Sequence, residues 1–382
     1  MNSRERVLRA INHQEPDRIP LDLGVGRGCG ITVEAYKNLL DYLGLGPRDI
    51  KILSRVSQLA TVHEDVLQRL GVDVREASVR PPASWTFELE VHGEYLYFKD
   101  EWGIGYHMPR RGGRYFDMVE HPLAGAALQD LWRFPWPDPR DPTRFSGLRE
   151  QAKRLHEEGW AVMIARPPGN GFLQMGAYLM GFEDWYSVLA SEPAKAHWIM
   201  DKLLEIKVEF WDQVLDLAGE YIDIVCETDD LGMQNAPLIS PKMYREYIKP
   251  RQQALFSFIK QKADVYVFLH SDGSIYDLLP DIIETGVDII NPVQLSAAKM
   301  DPIVLKKEFG KDLTFWGAGV DTQSTLPFKP PEEVRDEVRR NIEVFAPGGG
   351  FVFGPVHNIQ GDVPPENIIA MWETFMELSE YK

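Results

Sequence analysis

Residues 264–294 read DVYVFLHSDGSIYDLLPDIIETGVDIINPVQ. A short apolar, β-branched run over 264–270 ends in His270; a longer segment with helical spacing follows; a second apolar run over 287–292 carries Asn291 at its end, with Gln294 just beyond. Strand, helix and strand in that order form the unit of a parallel sheet. The same rhythm holds from about residue 160 onward: candidate strands occupy 160–166 (WAVMIAR), 221–227 (YIDIVCE), 313–320 (LTFWGAGV) and 351–357 (FVFGPVH). Segment 18–24 (RIPLDLG) reads as the first strand of the set.

The helices between them carry start signals. Ser240–Pro241 precedes KMYREYIKPRQQALFSFIKQK and Asp301–Pro302 precedes IVLKKEFG, a capping side chain followed by proline at the first helical position. In PEEVRDEVRRNIEVF, residues 331–345, Val334, Val338, Ile342 and Phe345 make an apolar stripe suited to packing on a sheet. Seven parallel strands with intervening helices predict an α/β fold, a (β/α)8 barrel once an eighth strand closes the ring. Such a barrel needs about 250 residues, so a single domain over 1–382 must carry an addition. The stretch from about 75 to 120 supplies it: WTFELEVHGEYLYFKDEWGIGYHMP alternates and turns at His92–Gly93, predicting an inserted lobe with an antiparallel hairpin. FPWPDPRDP, residues 134–142, reads as a stiff connector back into the barrel.

Composition narrows the partners. Hydrophobic residues make up 44% and charged residues 26%, which is the balance of a globular protein. Lysine and arginine number 41 against 58 aspartates and glutamates, a formal charge of −17 that repels phosphate backbones and anionic membranes, so neither nucleic acid nor membrane is an expected partner. The opening MNSRERVLRAINHQEPDRIP lacks the apolar core of a secretory signal, and no segment approaches the roughly 18 apolar residues of a membrane span; a cytoplasmic location is expected. The two cysteines, Cys29 and Cys226, suit a reducing compartment and cannot build a zinc site by themselves. The sequence leaves oligomeric state open, a homo-oligomer included.

In a parallel barrel the chemistry gathers at the C-terminal strand ends. Those ends carry Asp22, Glu227 with Asp229 and Asp230, His270 with Asp272, Asn291 with Gln294, Asp321, and His357 with Asn358. Two imidazoles on different strands and a carboxylate on a third match a catalytic zinc site with three protein ligands and one open position, which selects His270, His357 and Glu227, with Asp272 as a fourth ligand or a supporting carboxylate. Histidines so placed equally suit binding a substrate carboxylate or acting as a base. Asp229 and Asp230 read as general bases, as carboxylates orienting a ligand histidine, or as caps. Glycines alternate in LGVGRGCGI, residues 23–31, without phosphate-loop spacing; they let the backbone turn or pass close to a ligand, and Arg27 among them offers a bidentate grip on an anion. Cys226 reads as core and Cys29 lacks a histidine partner. Asn291, Gln294 and Asp321 complete the candidate substrate-binding set; the aromatics of the inserted lobe, Trp85, Phe87, Tyr95, Tyr97, Phe98, Trp102 and Tyr106, read chiefly as its own small core, with a cover over the barrel mouth as the other reading.

Taken together, these residues resemble the uroporphyrinogen decarboxylase superfamily. The resemblance spans nearly the whole chain: RERVLRAINHQEPDRIPLDLG (4–24), DIVCETDDLGMQNAPLISPKMYREYIKP (223–250), VFLHSDGSIYDLLPDIIETGVDIINPVQ (267–294), FWGAGVDTQ (315–323), PGGGFVFGPVHNI (347–359) and VPPENI (363–368). It implies a (β/α)8 barrel and either decarboxylation or zinc-dependent methyl transfer involving corrinoid proteins. The decarboxylase carries an arginine-rich segment after its first strand, whereas DLGVGRGCG here retains only Arg27. The methyltransferase branch carries a His-x-Cys motif and a later cysteine that bind zinc; this chain has His270, then Asp272 in the cysteine's place, and His357 near the later cysteine. A harder ligand set favours an oxygen- or nitrogen-bearing substrate over a thiol. The resemblance therefore implies a zinc enzyme that moves a methyl group from a small O- or N-methyl compound to a corrinoid protein, with Asp22, Asp229 and Asp230 as candidate proton donors. The alternatives are a cofactor-free decarboxylase of a pyrrolic or small carboxylic acid, with Asp22 steadying positive charge, and a ligand-binding barrel without activity.

Overall fold

A computed structural model describes residues 1–381. Its main sheet is parallel, with seven strands in the order Phe351–Gly354, Thr314–Ala318, Ile289–Asn291, Tyr266–His270, Ile224–Thr228, Ala161–Ile164 and Val74–Glu76. Each expected strand from residue 160 onward is present, most of them shortened at one or both ends, while the strand expected over 221–227 runs from Ile224 to Thr228. Five of these strands are buried at every residue, the reason their sequences read as continuous apolar runs rather than alternating ones.

The sheet closes on itself. Between its two outermost strands lie residues 20–22: Phe353 N donates to the Pro20 carbonyl (2.9 Å), Asp22 N to the Phe353 carbonyl (2.9 Å), and Asp73 N to the Leu21 carbonyl (2.9 Å). The predicted first strand over 18–24 is thus real in position but reduced to single bridges, Leu21 with Phe353 and Arg18 with Glu380. The remaining strand, Val74–Glu76, sits at the start of the stretch read as the insertion; three residues are too few to show a pattern in sequence.

Helices wrap the outside. Pro331–Phe345 buries Val334, Val338, Ile342 and Phe345 as its stripe requires. Ser240 and Asp301 accept from the backbone N–H of Met243 and Val304, capping as their sequences predict. The inserted lobe is larger than a hairpin: four antiparallel strands, Glu90–His92, Tyr95–Lys99, Gly105–Pro109 and Asp117–Glu120, pair in chain order. Phe98 stacks on Tyr106 and meets Phe116 edge-on, making the apolar face of the sheet. No helix among the described residues is long and apolar enough to cross a membrane.

Candidate metal centre and cavity

The cavity at the strand ends encloses about 450 Å³. Its floor and one wall come from the barrel: Arg27 and Gly28 of the glycine loop, Arg166, Thr228, Asp230, His270, Asp272 and His357. Tyr106, Phe116 and Met118 of the inserted sheet, with Val56 and Leu59, cover it with an apolar face. The helix Phe172–Met180 adds Gln174 and Tyr178.

Two imidazoles and a carboxylate converge here. His270, Asp272 and His357 each present a ligand atom, all within 4.8 Å of one another. His270 Nε2 lies 3.8 Å from Asp272 Oδ1, and His357 Nε2 lies 3.6 Å from Asp272 Oδ2. Tetrahedral zinc spaces its nitrogen and oxygen ligands about 3.3 Å apart, so small side-chain movements would bring this set onto one ion. His270 is buried, and His357 is half-exposed at the cavity.

The strand register fixes the His270 tautomer. His270 pairs with Asn291 on the neighbouring strand, and its Nδ1 lies 2.6 Å from Asn291 Oδ1. Asn291 Nδ2 donates to the Trp316 carbonyl at 2.9 Å, so Oδ1 is the acceptor and Nδ1 of the imidazole must carry the proton. Nε2 then keeps its lone pair toward Asp272 and Asp230. Burial lowers the His270 pKa, opposed by the Asp272 and Asp230 charges, which favours the neutral ring that metal binding needs. Gly28 passes against this pair: with φ +75°, it leaves no room for a Cβ, which would lie 2.5 Å from Asn291 Oδ1 and 3.0 Å from the His270 ring.

Other strand-end residues do different work. Glu227 is not with the histidines: Thr228 lines the cavity, so its neighbour faces the helix layer, where Glu227 accepts from Lys207 Nζ (2.6 Å) and Trp211 Nε1 (2.7 Å) of the helix Pro193–Ala218. Asp22 is fully buried beneath the glycine loop, accepting from Gly26 N (3.0 Å) and Trp316 Nε1 (2.9 Å), and burial raises its pKa. Asp229 accepts from Leu173 N (3.1 Å) and Gln174 N (3.0 Å), capping the helix Phe172–Met180 from across the cavity wall; burial pushes its pKa up to about 7. Asp321 accepts from the N–H groups of Gln323 and Ser324 and from the Ser324 hydroxyl. Gln294 takes the Gly273 N–H (2.9 Å) and donates to Gln234 (3.0 Å), steadying the loop that carries Asp272. Asn291 serves His270 and does not line the cavity.

Asp230 and Arg27 do line it. Asp230 lies 3.9 Å from His270 Nε2 and accepts from Asp272 N (3.3 Å); burial, then the neighbouring Asp272 charge, raises its pKa. The Arg27 guanidinium donates to Asn170 Oδ1 (2.6 Å) and has no carboxylate partner among the described residues, while Arg166 is paired with Glu76. Sequence reasoning missed Arg166, Asn170, Gln174 and Tyr178, and of the covering residues it offered Tyr106 but not Phe116, Met118, Val56 or Leu59. The available signal was in FLQMGAYLM: two polar residues four apart on an otherwise apolar helix.

A closed parallel barrel with histidines and carboxylates gathered at its strand ends defines this protein's class. The chain belongs to the uroporphyrinogen decarboxylase (URO-D) family, whose sequence model matches residues 118–378. It is 24% identical to the uroporphyrinogen decarboxylase of Alkalilimnicola ehrlichii, covering 98% of this chain and 94% of that one, and 22% identical to that of Psychromonas ingrahamii, covering 98% and 97%. Among solved structures, a methyltransferase from Methanosarcina mazei superposes with a TM-score of 0.60 at 17% identity, covering 99% of each chain. At that identity, the likeness extends to the fold.

Proposed function

We propose that the protein is a zinc-dependent methyltransferase that takes a methyl group from a small O- or N-methyl compound and passes it to a corrinoid protein. One observation carries the reading: His270, Asp272 and His357 meet at the cavity, with the imidazole lone pair of His270 turned toward the carboxylates. The donor set, two nitrogens and an oxygen, suits zinc, and neither buried cysteine belongs to it. A bound zinc ion would supply Lewis acidity for the leaving oxygen or nitrogen.

The transfer balances as follows. The carbon–oxygen bond of the donor breaks, its electron pair stays on oxygen, and that oxygen gains a proton; the methyl carbon forms a bond to cobalt(I) of the corrinoid, whose electron pair makes the new bond. This chain's residues hold the pieces. Asn291 orients His270, Asp230 stands beside it with a raised pKa that suits proton exchange, and the inserted sheet excludes water with Tyr106, Phe116 and Met118. Arg27 offers the cavity a cation without an ion-pair partner.

The decarboxylase reading draws on the names of the sequence relatives. Against it stands the charge of the cavity, where Arg27 is the one unpaired guanidinium among the described residues and Asp230, Asp272 and Asp117 repel a polycarboxylate. Elemental analysis of purified protein separates the readings. One zinc per chain, lost in His270→Ala, together with chelator-sensitive methylation of added cob(I)alamin from a panel of O- and N-methyl compounds, is expected. Activity in fully metal-free protein, or carbon dioxide release that survives chelation, would overturn the proposal.

A further inference from the structure

The inserted sheet has a second face. Tyr106 and Met118 look into the barrel cavity, so by strand alternation Tyr97 and Lys99, with Glu120 across from Gly105, look away from it. On that side the sheet and the connector over 134–138 wall an open groove of about 1140 Å³. Glu88, Glu90, Asp100, Glu101, Glu120 and Asp138 line it, beside the rings of Trp85, Phe134 and Trp136. Lys99 is held by Glu120 (2.8 Å) and Arg144 by Glu101, whereas Glu88 is exposed and has no cation among the described residues. Acidic and aromatic together, the groove suits a guanidinium, which pairs with carboxylates and stacks on ring faces. The other end of the same sheet supplies that group. Arg110 and Arg111, on the turn that Gly112 makes at φ +71°, are exposed and have no carboxylate partner among the described residues; the next arginine, Arg114, is taken by Asp362 (2.8 Å).

We propose that the groove receives the Arg110–Arg111 turn of a second copy of this chain, and that the two lobes pair reciprocally about a twofold axis. The inference does not rest on the methyl-transfer reading. Three features support it. Strand register sets Tyr95 against Pro109 and Lys99 against Gly105, so roughly 14 Å of strand separates the arginine turn from Asp100 and Glu101, and a chain cannot fill its own groove. Cations and carboxylates at opposite ends of one sheet are what a twofold axis makes self-complementary, since each turn then meets the other copy's groove. In a chain of formal charge −17, two adjacent unpaired arginines are also a local exception, placed where a complementary field would steer a partner. Exposed apolar side chains gather on the same lobe: Leu89, Val91, Tyr95, Tyr115 and Val119 are each at least 40% exposed, a surface that an opposing lobe would cover.

The test is sedimentation equilibrium of the full-length protein with exchanged charges. Wild type is expected to form a reversible dimer. A turn variant carrying Arg110→Glu and Arg111→Glu, and a groove variant carrying Glu88→Arg and Glu90→Arg, should each raise the dimer dissociation constant by about 100-fold or more, because like charges then face each other. Mixing the two variants sets glutamate turns against arginine grooves, and arginine turns against acidic ones, so the mixture should dimerise within about 10-fold of wild type. All four replacements in one chain should do the same. That recovery separates charge pairing from a folding defect, which mixing cannot repair, and if either double variant is insoluble the four-residue exchange alone makes the comparison. A wild type that stays monomeric, a dimer indifferent to both variants, or losses that neither mixing nor the four-residue exchange restores would overturn the proposal. So would a monomer whose groove takes up an arginine-rich peptide, since the occupant would then be a different protein.

Discussion

His270 shows how one side chain's chemistry is set by its neighbour. Its Nδ1–H is held by Asn291, itself fully buried and anchored to the Trp316 carbonyl. Partners behind a ligand histidine typically govern 10- to 100-fold in metal affinity. Asn291→Ala should therefore weaken zinc binding by about that range in a competition titration with a chromogenic chelator, whereas Asp321→Ala, which removes only a turn cap, should leave it unchanged. Equal affinities in the two variants would detach Asn291 from the metal site. The same scale explains what the sequence could not show. His270, Asp272, His357, Asp230 and Arg27 were legible because strand ends in a parallel barrel share one mouth. Glu227 was misplaced because a strand alternates inward and outward, and an all-buried run such as IVCET hides which parity faces the cavity. The missing clue lay in the helix Pro193–Ala218, where Lys207 and Trp211, four residues apart, form a polar pair within a buried stripe that needs a carboxylate partner.

Among the elements, the inserted sheet is the least determined by local sequence and the most consequential for the cavity. Its alternation announced antiparallel strands, but Asp117–Glu120 is mostly exposed and reads as loop. The sheet is tied at its turn by Asp100, which accepts from the N–H groups of Trp102 (2.9 Å) and Ile104 (3.0 Å) and from the Tyr106 hydroxyl (3.2 Å). Burial outweighs those bonds and pushes the Asp100 pKa up to about 6 from 3.8. With the folded pKa above the unfolded one, the folded state binds the extra proton between those values. The contribution to stability is therefore full below about pH 4 and lost as pH rises through about 6. Asn at this position keeps an acceptor for both N–H groups and cannot ionise. Asp100→Asn should match wild type near pH 4 and exceed it by about 2 kcal/mol at pH 8 in denaturant melts. A variant less stable than wild type at pH 8 would show that the bonds to the charged form dominate instead.

Across the whole molecule, the barrel stands or falls on the seam at residues 20–22. Elsewhere neighbouring strands pair over two to five residues, but here the chain offers single bridges. Asp73 compensates. Fully buried, it accepts from Leu21 N (2.9 Å) through Oδ2 and from Arg6 (2.7 Å) and Ser3 (2.8 Å) through Oδ1, and Arg18 reaches it at 2.9 Å. The helix Ser3–Ile11, the closing segment and the strand Val74–Glu76 thus meet on one carboxylate. The sequence made six strands of the sheet and the closing segment over 18–24 legible and left Val74–Glu76 hidden, because a three-residue strand carries no periodicity to read. Asp73→Asn removes the charge facing two guanidinium groups and turns an N–H toward one of the donors. Breaking one side of a buried ion pair costs about 3–5 kcal/mol, and a loss of that size is expected in urea unfolding. Hydrogen exchange should localise the damage, accelerating at the Asp22, Asp73 and Phe353 amides that stitch the seam, while the amides of the strand Tyr266–His270 on the far side of the ring keep their protection up to the new global limit. If exchange instead rises evenly around the ring, the seam is no weaker than the other strand pairs, and the bridge at Leu21 closes the barrel without help from Asp73.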